Sequence, residues 1–330
     1  MSIMLLLQTA VFIIAILGVA RSADWLLETV ERIGKYYGIP PFILGVVLVG
    51  FGTSLPELAT SLAATFSGET SVMLANVLGS NIANILLILG LSTLLMGTIR
   101  FGKELTDIDF PILGAATILF GILAYDGSLS RTDGLLLLGG VATYLFYTLF
   151  HKEAPGYDGN LTQLVRVAWR DLRKKTIRER IDRPTAGTYL LFFTSTALLG
   201  GLSTVAINSL VAIVENIGIG VDILSFFALA IGTSLPELVV SVKALRAGNG
   251  DLVVGNVIGS SAFNMLLIGG IGATIAPQYV SLPIGHWMLA GLGLSTILLV
   301  LSGLTRRIHI WEGVCFLLVY AALSSQILYP

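Results

Sequence analysis

Apolar runs of about 20 residues, separated by short polar stretches, recur along almost the whole chain. A run of that length is what an α-helix needs to cross the ~30 Å hydrocarbon core of a bilayer. Lipid offers no partner to loose backbone groups, so helices are the economical structure for such runs. The pattern predicts ten of them, over residues 4–20, 41–67, 71–96, 110–124 and 134–149, then 187–208, 221–245, 252–275, 287–302 and 310–328. One sizeable polar stretch, His151 to Arg183, lies between the fifth and the sixth. Within it, residues 161–181 could form a basic amphipathic helix on the inner membrane surface, although a solvated tether that also sets topology is the favoured reading. No Lys or Arg precedes the first apolar run, which favours a membrane span over a secretory leader.

A shift of 180 residues overlays the second half of the chain on the first without a gap. Positions 50–90 carry 19 identities in 41 aligned pairs, and Gly52-Thr-Ser-Leu-Pro-Glu-Leu58 recurs whole as Gly232 to Leu238. Asn76, Ser80 and Asn84 meet Asn256, Ser260 and Asn264. Five predicted spans separate the copies, an odd number, so the second copy crosses the membrane in the opposite sense. The fold expected is an all-α integral membrane protein of about ten transmembrane helices in two inverted five-helix repeats. Residues 1–150 form the first repeat, 151–186 a cytosolic basic connector and 187–330 the second, inverted repeat.

Composition supports this reading: 55% of residues are apolar and only 12% charged. Threading ten spans with the connector in the cytosol leaves Arg131 as the one basic residue, of 19 Lys and Arg, on the outer side. Cationic flanks resist translocation, so both termini are expected outside a cell membrane. A lone cysteine, Cys315, excludes an internal disulfide and a cysteine-rich metal site. The net charge of −1 carries no sign of nucleic acid.

Glu57 and Glu237 fall near the middle of spans two and seven, where an ionised carboxylate costs at least ~2.5–3.5 kcal/mol. Neither span offers a Lys or Arg close to its Glu, which makes a transported cation the natural counter-charge. Thr53 and Glu57 are four apart on one helix face, as are Ser80 and Asn84; Thr233 with Glu237 and Ser260 with Asn264 repeat the arrangement. All are oxygen donors, suited to calcium and sodium rather than to zinc or copper. Pro56 and Pro236 lack the amide hydrogen that would occupy the Gly52 and Gly232 carbonyls, so each helix is expected to break beside its Glu. Ser61, Ala64 and Gly68, matched by Ser241, Ala244 and Gly248, are expected to let core helices approach closely. A channel could use similar oxygens, but two repeated half-sites favour a carrier. His151, His286 and His309 all lie in loops or near span ends, and no nucleophile–base set suggests an enzyme.

The paired Gly-Thr-Ser-Leu-Pro-Glu segments, each followed by Gly-Ser-x-x-x-Asn at Gly79–Asn84 and Gly259–Asn264, resemble the alpha repeats of the sodium/calcium exchanger family, within the cation/calcium exchanger superfamily. The resemblance implies an antiporter exchanging Na+ for Ca2+ by alternating access, with no cofactor; a calcium, or other divalent cation, exchanger coupled to protons is the alternative. It further implies that Glu57 and Glu237 hold Ca2+ together with the carbonyls of Thr53 and Thr233. Sodium would use the same carboxylates with the Thr53 and Ser80 hydroxyls on one side and those of Thr233 and Ser260 on the other. Carbonyls near Gly50 and Ala230 would assist, and Asn84 and Asn264 would complete the centre. Several relatives carry Asp where this chain has Asn264, so its site has two formal charges rather than three. The first and sixth helices would slide as a pair against the other eight.

Overall fold

A computed structural model describes residues 3–39, 43–102, 105, 109–150, 183–217, 234–280 and 282–328. Most of the basic stretch, residues 151–182 with the segment 161–181, lies outside the described residues, as does the first half of the seventh predicted span. The described chain is almost entirely helical. In chain order the helices are α1 (Ile3–Tyr37), α2 in two pieces (Leu44–Thr53 and Leu55–Phe66), α3 (Thr70–Met96), α4 (Phe110–Leu123) and α5 (Arg131–Phe150). The second set is α6 (Ala186–Ile217), α7 (Leu235–Arg246), α8 (Gly250–Ile275), α9 (Leu282–Gly303) and α10 (Ile310–Leu328).

Five of the described helices are long and apolar enough to cross a membrane, and six if the bent α2 is counted as one span. The apolar α4 and α10 are shorter. Burial separates centre from periphery: 83% and 94% of the most apolar stretches of α3 and α8 are buried, against 11% in α1. The outward side chains of α1 and α6, among them Leu7, Ile14, Leu17, Leu190 and Phe193, are exposed, as expected of a face turned to hydrocarbon.

The duplication in the sequence is a symmetry of the structure. Two short antiparallel ribbons join the repeats: β1 (Ile99–Arg100) pairs with β4 (Arg307–Ile308), and β2 (Ser128–Leu129) with β3 (Gln278–Tyr279). The 180-residue shift converts the pair Ile99 with Ile308 into the pair Tyr279 with Ser128, so each ribbon is the symmetry mate of the other. β1 and β4 are six spans apart in chain order and β2 and β3 four. Even separations put both strands of a ribbon at one membrane face, which agrees with the ten-span threading. Close helix crossings obey the same symmetry. A Cβ at Gly90 of α3 would sit 2.9 Å from the Gly313 carbonyl of α10, and one at Gly134 of α5 would sit 2.8 Å from the Gly270 carbonyl of α8. Only glycine lets these backbones approach so near.

The first and sixth helices are longer than hydropathy predicts, at 35 and 32 residues. At 1.5 Å per residue α1 spans about 50 Å, more than the hydrocarbon core, because polar residues 21–35 continue it beyond the apolar stretch. The two run antiparallel along most of their length. Gly18 faces Leu202, and at the far end the Tyr37 and Tyr189 hydroxyls are hydrogen-bonded at 3.0 Å. Gly68 and Gly248 do not serve helix packing as expected: nothing lies within 4 Å of a Cβ built at either. They end α2 and α7 with φ of +82° and +76°, and the amides of Glu69 and Asn249 close each turn on the carbonyls of Ala64 and Ala244. This left-handed helix stop is the one glycine adopts without penalty.

The first piece of α2 packs on α8 with almost no side chain between them, since Cβ atoms at Gly45, Gly50 or Gly259 would meet backbone of the opposing helix. Gly259→Ala is therefore expected to cost about 1–3 kcal/mol through forced backbone shifts. Thermal unfolding in detergent should show a lowered Tm for Gly259→Ala and none for Gly293→Ala, whose added methyl meets open space.

Candidate ion-binding site

α2 breaks at Ser54, and its two pieces meet at a 42° bend. Pro56 stands in the first turn of the second piece, where a missing amide hydrogen leaves no helical bond unmade. Glu57 follows it, and α7 begins with the same Leu-Pro-Glu at residues 235–237. The expected helix break is thus present beside Glu57; Gly232, which would flank the other, lies outside the described residues. Both Glu side chains are 0% exposed. Their four carboxylate oxygens have no hydrogen-bond partner among the described residues, and no Lys or Arg there is buried. The two carboxyls lie near enough to repel one another.

Hydroxyls frame this pair. Thr53 and Ser260 both face the Glu237 carboxyl, from outside hydrogen-bond geometry, and their oxygens are 3.2 Å apart. Thr53 Oγ1 also lies 3.0 Å from the Val49 carbonyl, 3.3 Å from that of Gly50 and 3.2 Å from Asn256 Oδ1. Ser260 Oγ approaches the Gly50 carbonyl at 3.4 Å. On the other side Asn264 Nδ2 donates to Ser80 Oγ at 3.3 Å, and Ser80 donates to the Asn76 carbonyl at 2.6 Å. Asn84 is fully buried with both side-chain polar atoms unpartnered, and Asn264 Oδ1 is unpartnered as well. Ser54 and Ser234 are buried hydroxyls in the same condition.

Asn84 and Asn264 lie within short π-helical segments, Ala83–Ile88 and Phe263–Ile268, which the 180-residue shift superimposes. A π turn widens the helix and rotates the side chains on it, a device common where a helix carries function. Nothing in hydropathy signals it. The structure also groups the hydroxyls across the repeats rather than within them: Thr53 joins Ser260, and Ser80 joins Asn264. The cause is the packing of the first piece of α2 on α8, two elements from different halves. Thr233 and Ala230 lie outside the described residues. Ser61 and Ser241, read as small packing residues, accept hydrogen bonds of 3.1 Å from Asn76 and Asn256. The recurrence of Asn76 as Asn256 was the one sequence signal of that contact.

Buried carboxylate, amide and hydroxyl oxygens, several of them without a hydrogen-bond partner among the described residues, suit a hard cation such as Na+ or Ca2+. Among the described residues no cluster of three or more His, Cys, Asp or Glu offers a transition metal a site.

The sequence model of the family described as sodium/calcium exchanger protein matches residues 7–151 and 187–325. Inner membrane protein YrbG of Escherichia coli (strain K12) is 32% identical over 83% of this chain and 81% of its own length. Sodium/calcium exchanger MaX1 of Methanosarcina acetivorans is 29% identical over 97% and 99%. The solved structure of the sodium-calcium exchanger NCX_Mj soaked with 100 mM Na+ and 10 mM Sr2+ superimposes with a TM-score of 0.78, at 25% identity over 97% of this chain and 98% of that one.

Two repelling carboxylates with no hydrogen-bond partner among the described residues are expected to destabilise the ion-free protein. In chelator at mildly alkaline pH, Glu57→Gln and Glu237→Gln should each raise the melting temperature by about 2–6 °C. The rise that added Ca2+ gives the wild type should disappear in both, as differential scanning fluorimetry will show.

Proposed function

Because this chain belongs to the sodium/calcium exchanger protein family, we propose that it is a secondary active antiporter exchanging Na+ for Ca2+ across a cell membrane, with Glu57 and Glu237 as the shared carboxylates of the transport site. The presence of two buried carboxylates, one from each half of a duplicated helix bundle and neither with a hydrogen-bond partner among the described residues, carries the reading. In this reading Ca2+ is held by both carboxylates and by the carbonyls of Thr53 and Thr233. Sodium ions use the carboxylates with the hydroxyls of Thr53, Ser80, Thr233 and Ser260. The carbonyls of Gly50 and Ala230 assist, and Asn84 and Asn264 line the centre.

Electrostatics then couples the two fluxes. The empty site is a buried dianion, and moving it between outward- and inward-open states is strongly disfavoured. One Ca2+ neutralises it; two or three Na+ leave it neutral or singly positive. Either cargo permits the change of access and an empty site forbids it, which is the requirement of antiport. The inverted repeat supplies two states of similar energy, since each half can adopt the shape of the other. α1 and α6, packed chiefly on one another at the periphery, are the elements we assign to the sliding motion. The distribution of basic residues supports an orientation with both termini outside and the 151–186 connector in the cytosol.

Radioactive Ca2+ uptake into proteoliposomes tests the reading. Uptake should require internal Na+ and fall to background in Glu57→Gln and Glu237→Gln. Uptake driven by a proton gradient alone would assign the protein to proton-coupled exchange instead, and no Ca2+ flux under either gradient would overturn the ion assignment. Cross-linking α1 to the core helices should arrest exchange while leaving Ca2+ binding intact; exchange that survives the cross-link would rule out the sliding pair.

A further inference from the structure

Asn256 has no place in the ligand set proposed above, yet it is fully buried and bonded on every side. Its Nδ2 lies 3.1 Å from Ser241 Oγ and 3.4 Å from the backbone carbonyl of Glu237, and its Oδ1 lies 3.2 Å from Thr53 Oγ1. A backbone carbonyl only accepts, so the carboxamide must turn its NH2 toward Glu237. The opposite edge, facing Thr53, is therefore the oxygen. That oxygen cannot donate, and neither can the carbonyls of Val49 and Gly50, which also lie within reach of Thr53; the Ser260 hydroxyl, 3.2 Å away, can give its own proton to the Gly50 carbonyl at 3.4 Å.

The consequence concerns lone pairs. A threonine hydroxyl has one proton and two acceptor sites. With acceptors on the protein side, its proton points into the protein and its lone pairs stay available to a cation. If the carboxamide were reversed, an N–H would occupy one of those lone pairs and withdraw it from the ion. We infer that Asn256 is a positioning residue for sodium: it is locked by the Glu237 carbonyl and Ser241 so that the Thr53 hydroxyl presents lone pairs to Na+. The effect crosses the repeats, because Asn256 belongs to α8 and Thr53 to α2. It also distinguishes the two cargoes, since in the proposed reading Na+ uses the Thr53 hydroxyl and Ca2+ its carbonyl. The inference rests on that reading.

The test is a double-mutant cycle in proteoliposomes, with the half-saturating concentrations of Na+ and Ca2+ measured separately. Asn256→Ala should raise the Na+ value about tenfold, equivalent to about 1.4 kcal/mol, and change the Ca2+ value less than about twofold. Thr53→Val should do the same, and the double variant should add nothing to either single one. Equal rises for both ions, or effects that add in the double variant, would identify Asn256 as a structural residue and overturn the inference. Asn256→Ser and the Na+- and Ca2+-induced shifts in Tm give the same discrimination should the alanine variant fold poorly. Wild-type exchange with an unchanged Na+ value in Asn256→Ala defeats this inference alone. Absence of Na+-dependent uptake in the wild type defeats the exchange reading beneath it.

Discussion

Two buried carboxylates without a basic partner among the described residues are the constraint that governs this molecule. Water would solvate such a pair at little cost, whereas the interior of a membrane helix bundle does not. The surrounding architecture is intelligible as the means of holding the pair in place. The break in α2 lets Glu57 start a new helix at the bend, and α7 opens with the same Leu-Pro-Glu. The π segments bring Asn84 and Asn264 to equivalent positions in the two halves, and the Thr53 and Ser260 hydroxyls face the Glu237 carboxyl from outside hydrogen-bond geometry. Together these features surround oxygens that have no hydrogen-bond partner among the described residues, an arrangement that suits the cation site proposed above.

Symmetry shapes the frame around this pair. The ribbons joining β1 to β4 and β2 to β3, and the glycine crossings of α3 with α10 and α8 with α5, tie the halves together in symmetry-related pairs. They form a frame that treats both ends of the site alike. α1 and α6 stand outside that frame, joined to it through a limited set of contacts such as Pro56 against Gly200 and the Lys243–Asp24 ion pair. The ion pair has no symmetry counterpart, because the equivalent positions are Ala63 and Thr204. The two halves are thus related by the duplication without being identical.

Much of this was legible in the sequence, for identifiable reasons. Membrane helices announce themselves through apolar length, a duplication through exact spacing, and a membrane carboxylate through its cost, so the helical membrane fold and the inverted repeats needed no coordinates, and Glu57 and Glu237 stood out as candidates. Family membership followed from motifs that occur twice at the right separation. Tertiary structure decided matters that depend on which backbones touch. Hydropathy ended the first helix near residue 20, but packing along α6 carries it to Tyr37. Gly68 and Gly248 looked like packing residues until their positive φ angles marked them as helix stops. The pairing of Thr53 with Ser260, and the three-way bonding of Asn256, arise from the glycine-lined contact between α2 and α8, whose partners are about 200 residues apart in the chain. Spacing along one helix can group side chains on a face. Only the approach of a second helix determines which hydroxyl meets which amide, and hence how a polar network inside the membrane is oriented.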